Sequence, residues 1–436
     1  MSCDMELTQV VDELGLHDSM DVLRTEWESS QRSLPSGDLF FFAPEFAIEA
    51  CREVHLSEEM AQAAAAACGR LPASLAVKAL AWHYHHCLFE TAGPPYDRGG
   101  VFGTAGSWPS LEGALHEDAG MFYLLVLLSG LPTMKAVHDA HSVPAEVRRD
   151  TLLDLTLWLD QMRQRRPSAA WGLTPYNIGW LAHHFRGDLY RLGRLQFQFA
   201  SFWGRLRAFR HITTGAVLAL SEEGVGYDER GQPAPAPAAW QASLTITDEG
   251  ARGSPILPTG RAVNQEVFLP TAEWRQALAP RDPGVNIHIP AGEPMTPQRC
   301  GDSFRQAVGF FPRHFPDRPF IAFCCGSWIL NGQLEEWLPP TSNLVRFQRE
   351  VYLFPIRLSL ETLLDRVFGG APPDLAKAPR DTALRRAILD HLLAGKAFRP
   401  TGGGCFLFPE DLDWGREVYR RQRLGWVLDE GPGGRC

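Results

Sequence analysis

The stretch Val285–Arg313 constrains the fold of this chain most, because it combines a short apolar strand, a turn and a sharply begun helix. Val285, Ile287 and Ile289 alternate with other residues, as on one face of a β-strand. The strand pattern ends at 290–292, since Pro290 cannot donate to a strand ladder and the following glycine accepts unusual backbone angles. The pattern therefore predicts a strand that leads directly into a turn.

A helix is predicted to begin after this turn, with Thr296 as its N-cap and Pro297 at its first position. One face of that helix is apolar and comprises Cys300, Phe304, Ala307, Val308 and Phe311. Such a helix start directs N–H groups and the positive end of the helix dipole at the turn, which makes the turn a candidate site for an anion such as a cofactor pyrophosphate. An ordinary turn with nothing bound is the alternative.

Length, composition and charge describe a globular protein without an evident preference for polyanions. The chain has 436 residues, enough for two or three domains, and it is 45% hydrophobic and 21% charged. Its formal net charge of −9 gives no electrostatic reason to expect binding to nucleic acid or to an anionic membrane. We therefore expect neither as a partner.

No targeting or cross-linking pattern stands out. The first residues, MSCDMELTQVVDELGL, do not resemble a secretory signal, and Met121–Leu131 is too short for a membrane span of roughly 18 residues, so a buried helix is expected there. The nine cysteines are scattered and form no CxxC pair, which favours neither a disulfide framework nor a structural zinc site. These features predict a cytoplasmic, reduced, soluble protein.

The secondary-structure pattern changes near Gln196. Before it, helices are predicted at Met5–Gly15, Ser57–Cys68, Leu75–Glu90, Gly113–Leu128, Pro144–Arg163 and Ile178–Leu192. After it, strands are predicted within Gln196–Trp203, His211–Gly226, Trp240–Thr247, Arg261–Leu269, Phe320–Cys324, Phe347–Arg357 and Cys405–Phe408, with a helix at Asp381–Leu393. The predicted domains are 1–190, which is helical, and 191–436, which carries an inserted β-rich segment at about 205–280.

Several longer motifs resemble a bacterial acyltransferase family with a helical N-acyltransferase N-terminal domain and a GNAT-like C-terminal domain. The motifs are AWHYHHCLFE, DAGMFYLLVLLSGLP, DTLLDLTLWLDQ, YRLGRLQFQ, NIHIPAGEPMTPQRCGDS, FFPRHFPDRPF, CGSWIL and PPTSNLVRFQRE. The resemblance runs from roughly residue 40 to 355. It implies an α+β or α/β protein, in which a helical N-terminal domain precedes a GNAT-like mixed β-sheet domain flanked by helices.

The resemblance also implies an acyl-CoA site on the strand, turn and helix of Val285–Arg313. The strand edge would bind the pantetheine arm, the turn and first helical turn would bind the pyrophosphate, and Phe320–Cys324 would be the next parallel strand, splayed so that the thioester lies in the gap. The cofactor-binding residues so implied are Asn286, Ile287, Ile289, Ala291, Gly292, Thr296, Arg299 and Trp328. The implied co-substrate is acyl-CoA, with no metal.

The turn departs from the usual phosphate loop of GNAT enzymes, Q/R-x-x-G-x-G/A. It reads PAGEPMTP, with one glycine, three prolines that cannot donate N–H groups, and the acidic Glu293. Arg299, Arg305 and Arg313 could compensate electrostatically, although arginines on helices usually face solvent.

Three residues are candidates for the chemistry. His288 could be a general base, or a hydrogen-bonded structural histidine. Cys325 and Ser327 follow a predicted central strand, where either could protonate a leaving thiolate or act as a nucleophile. In the alternative, Cys325 is simply buried and Ser327 caps the next helix. Trp328, similarly, could pack over the acyl chain or anchor the core.

Two further groups of polar residues have competing interpretations. His83, His85 and His86 lack acidic partners at metal-ligand spacing, so no metal is expected. The segment YRLGRLQFQ contains Arg191, Arg194 and Gln196, for which an interdomain clamp and a contact to a cofactor phosphate both stay open.

The predicted function is an acyl-CoA-dependent N-acyltransferase that acts on a small-molecule or peptide amine. The alternatives are a non-catalytic GNAT-like module that binds an acyl ligand or a protein, and an acyl-transfer enzyme with covalent Cys325 or Ser327. The sequence does not set the acceptor, the acyl chain or the oligomeric state.

Overall fold

The computed structural model describes residues 5–91, 105–165, 171–370, 372, 374–396 and 401–422. The chain divides into two compact units. The first, called the helical unit here, comprises Met1–Leu192, Gln196–Phe199 and Ile289–Ala291; the second, the sheet unit, comprises Gly193–Leu195, Ala200–His288 and Gly292–Cys436. Two of the nine cysteines, Cys3 and Cys436, lie outside the described residues.

The helical unit is built from helices that pack around one apolar core. They are α1 (Leu7–Leu14), α2 (Met20–Arg24), α3 (Trp27–Arg32), α4 (Pro44–Glu53), α5 (Glu58–Cys68), α6 (Leu75–His85), α7 (Glu112–Leu115), α8 (Ala119–Leu128), α9 (Leu131–Ala140), α10 (Ala145–Arg165) and α11 (Pro175–Phe185). The helices predicted at Ser57–Cys68 and Pro144–Arg163 are thereby confirmed. Two strands follow, β1 (Leu189–Leu192) and β2 (Leu195–Ser201).

Helix α8 lies at the centre of this core. Its sequence AGMFYLLVLL is apolar all round, and nine of its ten residues are buried. The helical stretch Glu112–Ala140 is long and apolar enough to cross a membrane, yet 67% of its most apolar window is buried inside the protein. Burial of that kind is typical of a core helix.

The helix predicted at Ile178–Leu192 is wrong over its second half. Helix α11 begins with a capping box between Thr174 and Asn177, and it ends at Phe185. Gly187 then adopts φ +70°, a left-handed conformation that stops a helix, and Leu189–Leu192 continues as strand β1. The spacing of the apolar residues in this segment is compatible with a helix, but Leu189–Leu192 is an extended strand that is almost wholly buried.

The sheet unit contains most of the strands. They are β3 (Leu206–His211), β4 (Val217–Ser221), β5 (Gly226–Tyr227), β6 (Trp240–Gln241), β7 (Leu244–Ile246), β8 (Gly250–Gly253), β9 (Pro255–Leu257), β10 (Arg261–Ala262), β11 (Val267–Pro270), β12 (Trp274–Leu278), β13 (Pro283–His288), β14 (Ala322–Ser327), β15 (Tyr352–Arg357) and β16 (Thr401–Leu407). Its helices are α12 (Pro297–His314), α13 (Leu334–Trp337), α14 (Asn343–Arg349), α15 (Leu360–Phe368), α16 (Ala383–Leu393) and α17 (Val418–Arg421).

Four of these strands lie side by side in the order β13-β14-β16-β15. Strands β13 and β14 are parallel, whereas β14/β16 and β15/β16 are antiparallel. Between residues 206 and 278, strands β10-β9-β4-β3-β12 form a separate antiparallel sheet, and β11-β8-β7 form another. Strands β3 and β4 pair as an antiparallel hairpin. The structure thus has a helical N-terminal region followed by a mixed sheet with helices, which confirms the predicted fold class.

The strand predicted at Phe347–Arg357 begins too early. Asn343–Arg349 forms helix α14, and the strand begins only at Tyr352. Arg346 and Gln348 therefore lie on a helix and not on a strand. Gln348 is buried and donates to the carbonyl oxygen of Asn331 at 3.1 Å, so its role is to close a loop.

Candidate active site

Strands β13 and β14 are paired over only part of their length and then separate. Their parallel register runs from Gly284↔Ala322 to Asn286↔Cys324 and goes no further, although β13 continues to His288 and β14 to Ser327. Beyond that point β14 pairs only with β16 in the described chain. The β14-facing edge at 287–288 is consequently available to an extended ligand, which can add to a strand through main-chain hydrogen bonds.

The side chains beside this opening are engaged within the sheet unit. The Cys324 thiol donates to Asn286 Oδ1 at 3.0 Å, and burial raises the pKa of Cys324 far above its usual range. The thiol is thus protonated and ties the two strands together just where their ladder ends. Any ligand contact from Asn286 falls to its main chain, while Ile287 is buried and contributes an apolar wall.

Cys325 and Ser327 do not form a nucleophile–base pair. Cys325 is buried opposite Cys405, whose pKa is raised by burial and by a hydrogen bond with Cys325. Ser327 Oγ accepts from the N–H of Ile329 at 3.4 Å, so it caps the 3₁₀ turn at Trp328–Leu330. Among the described residues neither group is hydrogen-bonded to a histidine or a carboxylate. Ser327 thus caps the following helical turn and Cys325 is buried, as the alternative interpretation of these two residues expected.

The turn after β13 has the predicted helix start. Gly292 has φ +112° and open space around it. Thr296 is the N-cap of α12, and its Oγ1 accepts from the N–H of Arg299 at 3.4 Å. Pro297 follows at the first helical position, so the N-cap and proline prediction is confirmed. Arg299 Nη1 lies 2.6 Å from Glu293 Oε2 in an exposed ion pair, which neutralises the acidic residue of the turn.

A buried arginine from the β1–β2 connection supports this turn. The Arg194 side chain is only 7% exposed, and its Nε donates to the carbonyl oxygen of Glu293 at 2.6 Å. The N–H groups of Arg194 and Leu195 donate to Ser303 Oγ at 2.8 and 3.3 Å, and Ser303 in turn donates to the Arg299 carbonyl. A positive charge therefore lies under the turn without belonging to the turn sequence. The sequence alone did not decide whether Arg194 is an interdomain clamp or a contact to a cofactor phosphate.

The remaining sequence candidates vary in exposure. His288 and Ile289 are half-buried, and Ala291 is exposed on the turn. Trp328 is half-buried and packs on the apolar cluster of Leu363 and Val367, which fits its core-anchor alternative. Their roles toward a cofactor stay predictions.

The helical unit contains a buried polar network that the sequence analysis did not single out. His184 Nε2 lies 3.1 Å from Asp154 Oδ2, and the indole N–H of Trp180 donates to the same oxygen at 3.1 Å. Burial acts to raise the pKa of Asp154, but hydrogen bonds from His184, Trp180 and Gln196 outweigh it and lower that pKa to about 2. No local sequence pattern indicated this network, because Asp154 and His184 lie 30 residues apart along the chain.

His183, the neighbour of His184, has a different environment. Its Nδ1 lies 2.9 Å from Gln198 Nε2 and 3.8 Å from Asp188 Oδ2. Burial lowers the pKa of His183, so the imidazole is neutral at neutral pH.

The residues from 45 to 187 match the N-acyltransferase N-terminal domain model, and those from 189 to 406 match the GNAT-like C-terminal domain model. The chain belongs to the GNAT-like C-terminal domain family. No protein of curated function is similar enough in sequence to match it. The predicted family is confirmed.

Solved acyltransferase structures share this fold. One, in complex with CoA and 10C-teicoplanin, is 22% identical with a TM-score of 0.62, over 93% of this chain and 99% of that one. A second, with decanoyl-CoA and teicoplanin, is 23% identical with a TM-score of 0.62 over the same shares, 93% and 99%. A third, with decanoyl-CoA, is 21% identical with a TM-score of 0.59, again over 93% and 99%.

The β13–β14 opening and the Thr296-capped helix both fall inside the GNAT-like domain. The residues present fit a CoA pyrophosphate: a helix N-terminus aims its dipole at the turn, Arg194 lies beneath it, and Arg299 neutralises Glu293. Arg194, which is not part of the turn sequence, hydrogen-bonds to this turn with its single glycine and adds a positive charge there. His183, His184 and Asp154 belong to the N-acyltransferase N-terminal domain.

Proposed function

We propose that this chain is an acyl-CoA-dependent N-acyltransferase of the GNAT-like class, which transfers an acyl group from a CoA thioester to an amine. The observation that carries the proposal is the parting of β13 and β14 after Asn286/Cys324, directly before a turn and a proline-started helix. That arrangement offers a strand edge for the amide-rich pantetheine arm and a dipole for the pyrophosphate. Domain membership and the fold of CoA-bound acyltransferases support it.

The reaction requires a neutral amine, a proton acceptor and a protonated leaving group. The amine nitrogen attacks the thioester carbonyl, the nitrogen loses a proton, and the C–S bond breaks to release CoA. His288 is our candidate base within the sheet unit, since it ends the strand whose edge is open. His183 is the candidate in the helical unit, because burial lowers its pKa and keeps it neutral. Neither Cys325 nor Ser327 has an activating base, so we assign the covalent step to neither.

The acceptor and the location of the protein are also proposals. Two of the similar structures contain teicoplanin or 10C-teicoplanin with CoA or decanoyl-CoA, which supports a small-molecule or peptide amine and a medium-length acyl chain here. The seven described cysteines are all free and buried, which supports a reducing, cytoplasmic location. A bacterial origin, and the lack of nucleic-acid or membrane partners, stay predictions.

The test is an acylation assay on the full chain with decanoyl-CoA and a panel of primary amines, in which the amide product is read by mass spectrometry. We expect amide formation together with an intact protein mass that does not change. CoA binding without any amide would favour the non-catalytic module, and an acyl adduct on the protein would favour the covalent alternative. Activity that His288→Gln loses but His183→Gln retains would select between the two bases, especially if the acidic limb of the pH–rate profile disappears with it.

A further inference from the structure

The β13–β14 gap, where the two strands run on beyond Asn286 and Cys324 without pairing to each other, has two different faces. Side chains alternate along a strand, so Asn286 and Cys324 point to the same face of the sheet. Gly326 lies on that face, two residues further along β14. Val285 and Phe323 point to the opposite face. A group that enters the gap can therefore leave it toward one of two sides.

Helix α12 covers the face of Val285 and Phe323. The Phe304 ring of α12 lies 5.3 Å from the Phe323 ring, and both side chains are fully buried. Ile287 and Cys325, the next residues on this face along the two strands, are also buried. Because these side chains already fill the space between the strands and the helix, this side of the gap is closed to an acyl chain.

The other face is open at Gly326. This glycine is exposed, and its φ lies outside the left-handed region, so the backbone does not require a glycine there. A Cβ at this position would lie 2.5 Å from Cζ2 of Trp203 and 3.7 Å from Cδ1 of Ile356. The Trp203 indole thus takes the place of a side chain at residue 326, directly beside the gap. Trp203 and Ile356 are both half-buried, so part of their apolar surface is accessible.

The connection between β2 and β3 fixes the position of Trp203. The N–H of its neighbour Phe202 donates to the carbonyl oxygen of Asp282, directly before β13, at 2.8 Å. The Trp203 ring lies 5.7 Å from the ring of Phe354, which is buried on β15. The indole is therefore in place before a ligand arrives, which reduces the entropic cost of binding.

The chemistry of this surface selects one part of an acyl-CoA. Asn286 and Cys324 are hydrogen-bonded to each other at the point where the gap begins. The surface beyond them consists of an indole edge, a glycine and an isoleucine side chain. The phosphates and amides of CoA require polar partners, which such a surface does not supply, whereas a hydrocarbon chain gains by leaving water against it. The acyl chain is the part of the thioester that fits.

We infer that the acyl chain of the CoA thioester leaves the β13–β14 gap on the face opposite α12 and packs across Gly326 against Trp203 and Ile356. The inference rests on the proposed function and names the residues that select the acyl group. A chain of several carbons covers the indole, whereas an acetyl group has a single methyl with which to do so. Trp203 is a specificity-determining residue and takes no part in the proton transfer.

The first test is calorimetric binding of decanoyl-CoA and acetyl-CoA to the full chain. We expect Trp203→Ala to weaken decanoyl-CoA binding about tenfold and to leave acetyl-CoA binding unchanged, because only the longer chain reaches the indole. Gly326→Ala should weaken decanoyl-CoA binding about fivefold, since its Cβ displaces the indole. Trp203→Phe keeps an aromatic ring and should restore most of the affinity for decanoyl-CoA.

The matched control is Trp240→Ala, which removes another half-buried tryptophan of the sheet unit, one that stacks on Tyr227. It should bind both thioesters as the wild type does. Equal losses for decanoyl-CoA and acetyl-CoA in Trp203→Ala would show that Trp203 only supports the fold, and unchanged decanoyl-CoA binding would show that the chain lies elsewhere. Either result would overturn the inference, while amide formation would still uphold the proposed function.

The second test needs no substitution. A decanoyl-CoA analogue with a diazirine in its acyl chain should label peptides that contain Trp203 or residues 352–358 of the wild-type protein on irradiation. Label confined to residues 300–311 of α12 would overturn the inference. The same holds for label confined to residues 110–123 and 171–175, which line a cavity of about 740 Å³ in the helical unit.

The two tests also separate this inference from the proposed function. The expected label without amide formation from any amine would support the acyl-binding surface and contradict the proposed function alone. No binding of either thioester would overturn both.

Discussion

The two units differ in their buried histidines. The helical unit buries His83, His85, His138 and the His184–Asp154 pair. In the described part of the sheet unit no histidine is fully buried, and Cys324, Cys325 and Cys405 cluster beside the opened strand edge. The helical unit should therefore respond to pH, whereas the sheet unit should respond to changes in the charge and geometry of one turn.

The largest expected effect is acid destabilisation of the helical unit. Burial lowers the pKa of His83 to about 3 and of His85 and His138 to about 4, from 6.5. Below pH 6.5 these histidines become protonated in the unfolded chain but stay neutral in the folded unit. The free energy of unfolding therefore decreases as the pH is lowered, until the pKa values of the folded state are reached. At pH 5 the loss is about 2 kcal/mol for each histidine. Amide exchange, corrected for intrinsic rates, should lose protection in residues 75–140 before 297–314 as the pH falls from 7 to 5; the reverse order would contradict the comparison.

Asp154→Ala should be the most damaging single change in the buried network. It leaves His184 and the Trp180 indole without their shared acceptor, at an expected cost of about 3 kcal/mol in the free energy of unfolding. Urea unfolding checks this value against Asp150→Ala, an exposed aspartate on the same helix. A shift in midpoint no larger than that of the control would show that the network does not stabilise the unit.

His138→Leu should stabilise the protein. Both ring nitrogens of His138 are buried without a hydrogen-bond partner, so a leucine removes unsatisfied groups and gains about 1–2 kcal/mol at pH 7. The gain should grow at pH 5, because the substitution also removes a histidine that the folded state cannot protonate. Thermal unfolding at both pH values measures it, with the exposed His17→Leu as control. A gain that is independent of pH would contradict the assignment of a lowered pKa.

Arg194→Ala should weaken acyl-CoA binding about tenfold, which corresponds to about 1.4 kcal/mol. The substitution removes the charge under the turn and the bond to the Glu293 carbonyl. Arg305→Ala is the control, because it removes an exposed arginine of helix α12 that pairs with Asp302. It should leave the KM for decanoyl-CoA within twofold of wild type. Equal effects of the two substitutions would show that general surface charge holds the cofactor.

Cys325→Ala and Ser327→Ala should have the smallest effects, less than threefold on kcat. Neither group has a base beside it, and the Ser327 hydroxyl caps a single turn at 3.4 Å. Steady-state rates of amide formation measure the change. Loss of activity by two orders of magnitude in either variant would restore covalent catalysis as the mechanism.

The strand, turn and helix at 285–313 could be predicted because local chemistry determines them: alternating apolar residues, a glycine turn and a Thr-Pro helix start. Leu189–Leu192 could not, because its apolar spacing suits a helix, and only Gly187 in a left-handed conformation reveals the break. The roles of Arg194 and of the His184–Asp154 pair could not be predicted from the sequence, for another reason. Their partners lie 99 and about 30 residues away along the chain, and such contacts leave no local pattern.

The most direct test of the account is amide hydrogen exchange on the full chain with and without decanoyl-CoA. We predict protection centred on residues 285–300, where the open edge of β13 and the first turn of α12 would hold the pantetheine and the pyrophosphate. Arg194→Ala should reduce that protection. Protection confined to other segments, or none at a saturating concentration of decanoyl-CoA, would contradict the CoA site proposed here.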